Sequence, residues 1–392
     1  MEAIILDGEQ KSALATMRSL SKRGVRCIVG SSRRTGMALH SRFANETFVY
    51  TSPLENREVF VNDVLAKCFT RAQKPVLFSF SDASFLPLAQ NRELVLKHVR
   101  MALPPEESVE IAFNKAHTME LALRMGIPIA RTYMVRKNED FSIIAREIGF
   151  PVVVKPQQNA TWKGNIGTSG SVVFSFSISE LKDAVNAIQK RTGEFPILEE
   201  YIVGSEYGVE VMAHRGNVVQ WFAHKRIRSL SPTGGASVVK ESILVPHDLM
   251  VHTKRLIKEL AWHGPAMVEF KQNSKKDNEA LLLEINGRFW GSLPLAIQAG
   301  VDFPTLYAKL ALGEVPDKNM PYEENVITRY LLGDVKHLLS VLFSSDKMRS
   351  QAYPSRFKTL WNFFTMPSRT RYDVLSLRDP LPFFADIVNH LL

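Results

Sequence analysis

Cysteine is nearly absent. The 392 residues hold two, Cys27 and Cys68, far apart and in no CxxC pair. That excludes a disulfide-stapled scaffold and leaves two buried, reduced thiols in a cytosolic chain as the expectation. No run of about 18 uncharged apolar residues occurs, so no membrane-spanning helix is expected. The opening MEAIILDGEQ lacks a basic n-region and reads as a core strand, not a secretory leader. Ten histidines fall in no HExxH-like spacing, which argues against a zinc site. Acid is the minority charge: 49 Lys and Arg against 40 Asp and Glu leave a net +9. Such an excess favours anionic partners such as nucleotides, phosphorylated sugars, lipid headgroups or nucleic acid, without choosing among them.

What is present suits a folded chain of two or three domains, with 45% hydrophobic residues. The first hundred residues alternate strand and helix: AIIL, KSALATMRSLSKRG, VRCIVG, EVFVNDVLAKCF and PVLFSF. This alternation predicts a parallel, doubly wound sheet. The first turn, LDGEQKSA, lacks GxGxxG, so a dinucleotide site is not supported. From Ser108 the character changes. A helix ends at Gly126, the buried-type strand FPVVVKP follows, then a glycine-interrupted stretch, a helix and the strand FPILEEYIVG. Several antiparallel strands complete the unit: EYGVEVMAHRG, VVQWFAHKRI, AMVEFKQ and ALLLEING.

The last two strands read as a hairpin turning near Lys276 and Asp277. Counting outward sets Glu269 opposite Glu284, Val268 opposite Ile285 and Phe270 opposite Leu283. Alternation then puts Leu281, Leu283 and Ile285 on the core face with Val268 and Phe270, and Glu269, Glu284 and Asn286 on the other. Like charges directly opposite repel, and burial raises each other's pKa. A divalent cation removes both penalties, and two carboxylates with an amide oxygen are what Mg²⁺ or Mn²⁺ prefers. Arg288, two residues on, can bind an anion beside the metal. A solvated polar strand is the bland alternative.

Three further features lie upstream. Lys115 opens a helix and Lys155 ends the strand PVVVK, where α/β folds bind ligands. The loop between Lys155 and Ser171 carries Gly164, Gly167 and Gly170, which lets backbone amides approach phosphates and the loop close as a lid. In LEEYIVGSE, an apolar strand runs into Glu199, Glu200, Tyr201 and Ile202, and a short turn places Glu206.

In this order the pieces resemble the ATP-grasp superfamily of carboxylate ligases, over about residues 108 to 313. The E-x-N-x-R element, Glu284, Asn286 and Arg288, is the most specific part. The likeness is nearest to the carbamoyl-phosphate-synthase-like and D-aspartate-ligase-like carboxylate–amine ligases. It implies an α/β and α+β architecture. A Rossmann-like pre-ATP-grasp domain (1–107) would precede a two-lobed ATP-grasp fold (108–196 with the glycine loop, 197–313 with the metal site) and a C-terminal extension (314–392). The implied activity is amide formation from an acid, an amine and ATP through an acyl phosphate, in cell-envelope, polysaccharide or peptide-type biosynthesis. Carboxylate phosphorylation, carboxylation or a non-catalytic nucleotide-binding role are the alternatives. The resemblance further implies that Lys115 and Lys155 bind ATP phosphates, and that Glu199, Glu200 and the backbone at Tyr201 and Ile202 face adenine. Glu206 would hold ribose, and Glu269, Glu284 and Asn286 would ligate one or two Mg²⁺ (or Mn²⁺). Arg288 would stabilise the transferred phosphoryl group, with Arg226, Arg228 and Gly234–Gly235 as weaker candidates. Gly287 departs from the pattern, since many relatives have proline there. Homodimers are common among such proteins.

Past residue 314, Lys347 to Arg371 holds six basic residues, no acid, and the interleaved Phe357, Trp361, Phe363 and Phe364. Pro354 and Pro367 exclude one long helix. A packed extension with a basic solvated face, contact with an anionic membrane surface, and an acidic glycan are the readings, with nucleic acid disfavoured. The expected location is cytoplasmic, or peripheral at the inner membrane face.

Overall fold

The computed structural model describes every residue except 70, 138, 233, 275–278, 317–319, 345–353 and 392. The N-terminal alternation folds as expected. Strands β1 (Glu2–Ile5), β2 (Arg26–Ser31), β3 (Glu46–Val49) and β4 (Val76–Phe78) form a parallel sheet in the order β3-β2-β1-β4. Helices α1 (Lys11–Ser21), α2 (Arg57–Phe69) and α3 (Asp82–Gln90) connect and cover it. Both cysteines are buried and free. Strand β3, with its half-exposed ETFV pattern, was not legible as a strand.

Helices α4 (Arg92–His98), α5 (Glu106–Phe113) and α6 (Lys115–Arg124) lead into a second unit. Asn114 caps α6 by accepting from the amides of Ala116 and His117, which fixes Lys115 at the helix mouth. Strands β5 (Thr132–Met134), β6 (Val152–Lys155), β9 (Val173–Ser175) and β10 (Ile197–Glu200) form an antiparallel sheet in the order β5-β10-β6-β9. Helices α7 (Phe141–Ile148) and α8 (Ile178–Thr192) pack on it. Their apolar faces, with Ile144, Val152, Val154, Leu181, Val185, Ile188 and Leu198, make a core of their own. A separate core gives this lobe the means to move as a body. The glycine-rich stretch is a hairpin of β7 (Ala160–Lys163) and β8 (Ile166–Ser169).

A seven-stranded sheet forms the largest layer, in the order β15-β14-β11-β12-β13-β16-β17. Its members are β11 (Glu206–His214), β12 (Asn217–Ser231), β13 (Gly234–Ser242), β14 (Gly264–Asn273), β15 (Glu279–Asn286), β16 (Ile327–Arg329) and β17 (Arg371–Tyr372). Helix α9 (His247–Glu259) lies between β13 and β14, and α10 (Leu293–Gln298) and α11 (Phe303–Ala311) follow β15. Then come α12 (Leu331–Leu342), α13 (Arg356–Phe364) and α14 (Leu381–Leu391). One continuous core joins this sheet to the N-terminal one through Phe78, Phe289, Trp290, Phe303 and Tyr307.

Residues beyond 314 are stitched into both. Asp373, fully buried, pairs with Lys240 on β13 at 2.6 Å and with Lys11 on α1 at 3.2 Å. Asp379 accepts from Arg18 Nε at 2.9 Å and from the Ser41 hydroxyl.

The hairpin register is half as expected. Glu269 faces Glu284 and Val268 faces Ile285, but Phe270 pairs with Leu282, because a β-bulge intervenes after Glu269. The extra residue re-aims the strand. Leu282 and Ile285 therefore enter the core, and Leu283, expected there, lines the cavity described next. The expected turn at Lys276–Asp277 lies outside the described residues.

Candidate active site

Between the antiparallel lobe and the large sheet lies a cavity of about 650 Å³. It receives all twelve expected site residues: Lys115, Lys155, Glu199, Glu200, Tyr201, Ile202, Glu206, Arg226, Glu269, Glu284, Asn286 and Arg288.

The carboxylate pair sits on the sheet floor. Asn286 Nδ2 donates to Glu269 at 3.2 Å and to Glu284 at 3.1 Å, so the three side chains converge. Lys115 Nζ lies 3.5 Å from Glu284 and donates to Asn159 at 2.6 Å. Arg226 reaches Glu269 at 3.2 Å and also pairs with Glu206. These neighbours split the two acids. Burial raises the Glu269 carboxyl above its usual range against the pull of Arg226, with Glu284 and Glu206 adding to the rise. Burial also pushes Glu284 up, but Lys115 and Lys155 outweigh it and hold the group below the ordinary value.

Lys155 ends β6 and pairs with Glu199, which lies beside it on β10. Burial alone would discharge this lysine, yet the Glu199 carboxylate keeps its pKa above normal. The second Glu199 oxygen, Oε1, is buried without a partner. The cavity's apolar lining includes Ala130, Val153, Phe174, Tyr201, Ile202 and Leu283. Glu200 departs from expectation in one respect. It borders the cavity, but its carboxylate is held by Arg131 at 2.8 Å. Arg228 likewise serves elsewhere: it pairs with Asp334 at 2.8 Å.

Sequence reading missed several partners. Lys271, across the sheet from Glu206, pairs with it at 2.8 Å. Asp82, at the start of α3, binds Arg288 Nε at 2.9 Å, while Arg288 also donates to Asn286 Oδ1 at 3.0 Å. Asp82 and Arg288 lie 206 positions apart, and no local pattern signals such a pair. The glycine at 287 has a packing reason. A Cβ there would sit 2.5 Å from the Trp262 ring and 2.7 Å from Phe113. Arg288 is thus oriented by Asp82 and Asn286, with no proline needed.

The donor set suits a nucleotide with magnesium. Two carboxylates and one amide are hard oxygen donors, and Mg²⁺ completes its shell with waters and phosphate oxygens. Among the described residues no group of three or more His, Cys, Asp and Glu is placed to hold a metal ion by itself. The unpartnered Glu199 oxygen is an acceptor beside an apolar slot, which a purine amino group satisfies.

Comparison with known proteins agrees. The family model described as "ATP-grasp in the biosynthetic pathway with Ter operon" matches residues 194–332. The carbamoyl phosphate synthase large chain of Methanothermobacter thermautotrophicus is 23% identical over 279 residues, covering 68% of this chain. The chain spans a quarter of that relative's length. Among solved structures, the biotin carboxylase domain of Hydrogenobacter thermophilus 2-oxoglutarate carboxylase, a complex with MgADP and bicarbonate, superposes with a TM-score of 0.62 at 18% identity. It covers 83% of this chain and 73% of its own. The L-amino acid ligase of Bacillus licheniformis gives 0.58 at 17% identity, covering 79% and 73%. Two lobes around a charged cleft, with the E-x-N-x-R strand on its floor, define the ATP-grasp fold. The chain has that fold, and residues 194–332 match an ATP-grasp family model.

Proposed function

We propose that the protein is an ATP-dependent carboxylate–amine ligase that forms an amide through an acyl phosphate. One observation carries this reading. The facing pair Glu269–Glu284, Asn286, both lysines and Arg288 line a single cavity, with Lys115 3.5 Å from Glu284. In this reading the adenine edge meets Glu199 Oε1 and the backbone at Tyr201 and Ile202, against Leu283. Glu206, with Lys271, holds the ribose, and Lys115 and Lys155 bind the phosphates. Glu269, Glu284 and Asn286 hold Mg²⁺ or Mn²⁺, which when bound neutralises charge on the phosphate oxygens.

The substrate carboxylate attacks the γ-phosphorus, the bond to the ADP oxygen breaks, and Arg288 stabilises the charge that spreads over the phosphoryl group. Asp82 fixes that guanidinium in place. The amine nitrogen then attacks the acyl carbon, losing a proton as inorganic phosphate departs. The β7–β8 hairpin shields the intermediate from water. In the division proposed here, 1–107 shapes the acid end, 108–196 the lid side, 197–313 the metal floor, and 314–392 braces them.

A phosphate-release screen over paired acids and amines, with ATP and Mg²⁺, tests the reading. Release that needs both partners, with an amide detected by mass spectrometry, is the expected result. Release with acid alone identifies acyl-phosphate formation as the outcome instead, and release that needs bicarbonate with an acceptor identifies carboxylation. No ATP turnover with any pair, alongside intact nucleotide binding, defeats the enzyme.

A further inference from the structure

Helix α13 lies between the two prolines that break the basic aromatic segment, and Ser355 caps it by accepting from the Lys358 amide. Lys347 and Arg349, read with this segment, lie outside the described residues. The inner side of α13 is anchored. Thr359 is buried, and the Arg329 guanidinium stacks on the Phe363 ring at 4.1 Å. Arg228, two residues from Arg226 on β12, donates to the Asn362 carbonyl at 3.3 Å. The helix is therefore fastened to a strand that walls the cavity.

Its outer side is unusual. Phe357, Trp361 and Phe364 are 76%, 61% and 74% exposed. Their spacing of four and three puts three rings on one side of the helix. Phe343, 81% exposed, adjoins Ser344, whose carbonyl accepts from Arg356. Scattered exposed apolar residues need no explanation, but three aromatic rings on one side of a single helix mark a contact surface. Arg356, Lys358 and Arg369 are exposed alongside, and residues 354–372 contain no Asp or Glu. Among the described residues no helix is long and apolar enough to cross a membrane.

We propose that α13 is an interfacial anchor, seating the Phe357–Trp361–Phe364 face among the headgroups of an anionic bilayer while the flanking cations pair with acidic lipid. Tryptophan and phenylalanine favour that interface, and the one-sided positive charge selects anionic over neutral surfaces. The anchor holds the cavity against the bilayer without spanning it. It stands apart from the ligase reading and survives that reading's failure.

Full-length protein is floated at low salt with vesicles of phosphatidylcholine alone or with one-third phosphatidylglycerol. Flotation with the anionic vesicles only is expected. In the F357S/W361S/F364S variant, whose changes are all on exposed positions, it falls about tenfold or more, with an unchanged melting temperature. Lipids brominated near the headgroup quench Trp361 fluorescence, and W361F abolishes that quenching while retaining flotation. No flotation at low salt overturns the proposal. So does flotation unaltered by the triple substitution, or binding to an oligonucleotide or soluble protein with none to vesicles.

Discussion

Within the cavity, single side chains set what the site can do. Glu284 stays ionised because two lysines face it, whereas Glu269 is held toward its neutral form until a cation offsets burial. Replacing Glu284 by alanine leaves Lys115 without its acid and removes one of the proposed metal ligands. Magnesium-dependent ATP turnover is expected to fall about a hundredfold or more, read as phosphate release. Asp82 touches no reacting atom in the proposed scheme, yet it fixes Arg288. D82N is expected to lower kcat about tenfold or more with little change in nucleotide affinity, since small misplacements of a catalytic group cost rate. Away from the site, Glu9 has its carboxyl pushed up to about 7, by burial first and Asp7 second. A raised acid favours its protonated form, so folding loses stability as pH rises from the unfolded value toward 7. E9Q mimics the protonated group. Its melting temperature should exceed the parent's above pH 7, with the gain vanishing below about pH 4.5. The acids that read well from sequence, Glu269 and Glu284, do so because strand alternation fixes their face. Lys271 shares the face of Glu269 by the same alternation and was overlooked, whereas Asp82 and Asn159 carry no such periodic mark and only the folded chain reveals them.

Secondary-structure elements show the same division. Apolar alternation gave the β14–β15 pairing up to the bulge, and helix periods gave α1, α6 and α8 with their glycine or serine boundaries. The bulge itself left no trace, because an inserted residue in LLLEI reads as plain hydrophobicity. Yet it is what turns Leu283 toward the proposed adenine slot. The β7–β8 hairpin, legible only as glycine-rich, is docked on the N-terminal unit. Trp162 Nε1 donates to the Pro53 carbonyl at 2.9 Å and the Gly167 amide to that of Leu54 at 2.7 Å. A Cβ at 167 would stand 2.7 Å from the Trp162 ring and 2.9 Å from Leu54. G167V should lift the hairpin off and admit water. The measurable result is fewer amides formed per ADP released, seen by comparing the two products.

At the scale of the whole molecule, the charge centre formed by Asp373, Lys240 and Lys11 holds three regions together. Its members come from far-separated stretches, which is why sequence reading treated the segment after 314 as an extension. D373A leaves Lys240 buried without its partner. Breaking such a pair costs on the order of 3–5 kcal/mol, so a clear drop in melting temperature is expected. Lys11 also borders the cavity and leans over Tyr330 at 4.8 Å. Its position therefore depends on a residue 362 places further along. Because synthesis runs from the N-terminus, Lys11 emerges long before Asp373 and waits for its clasp until that residue follows. A copy truncated before that residue would keep the Lys11 ammonium at the cavity's border but lose its clasp.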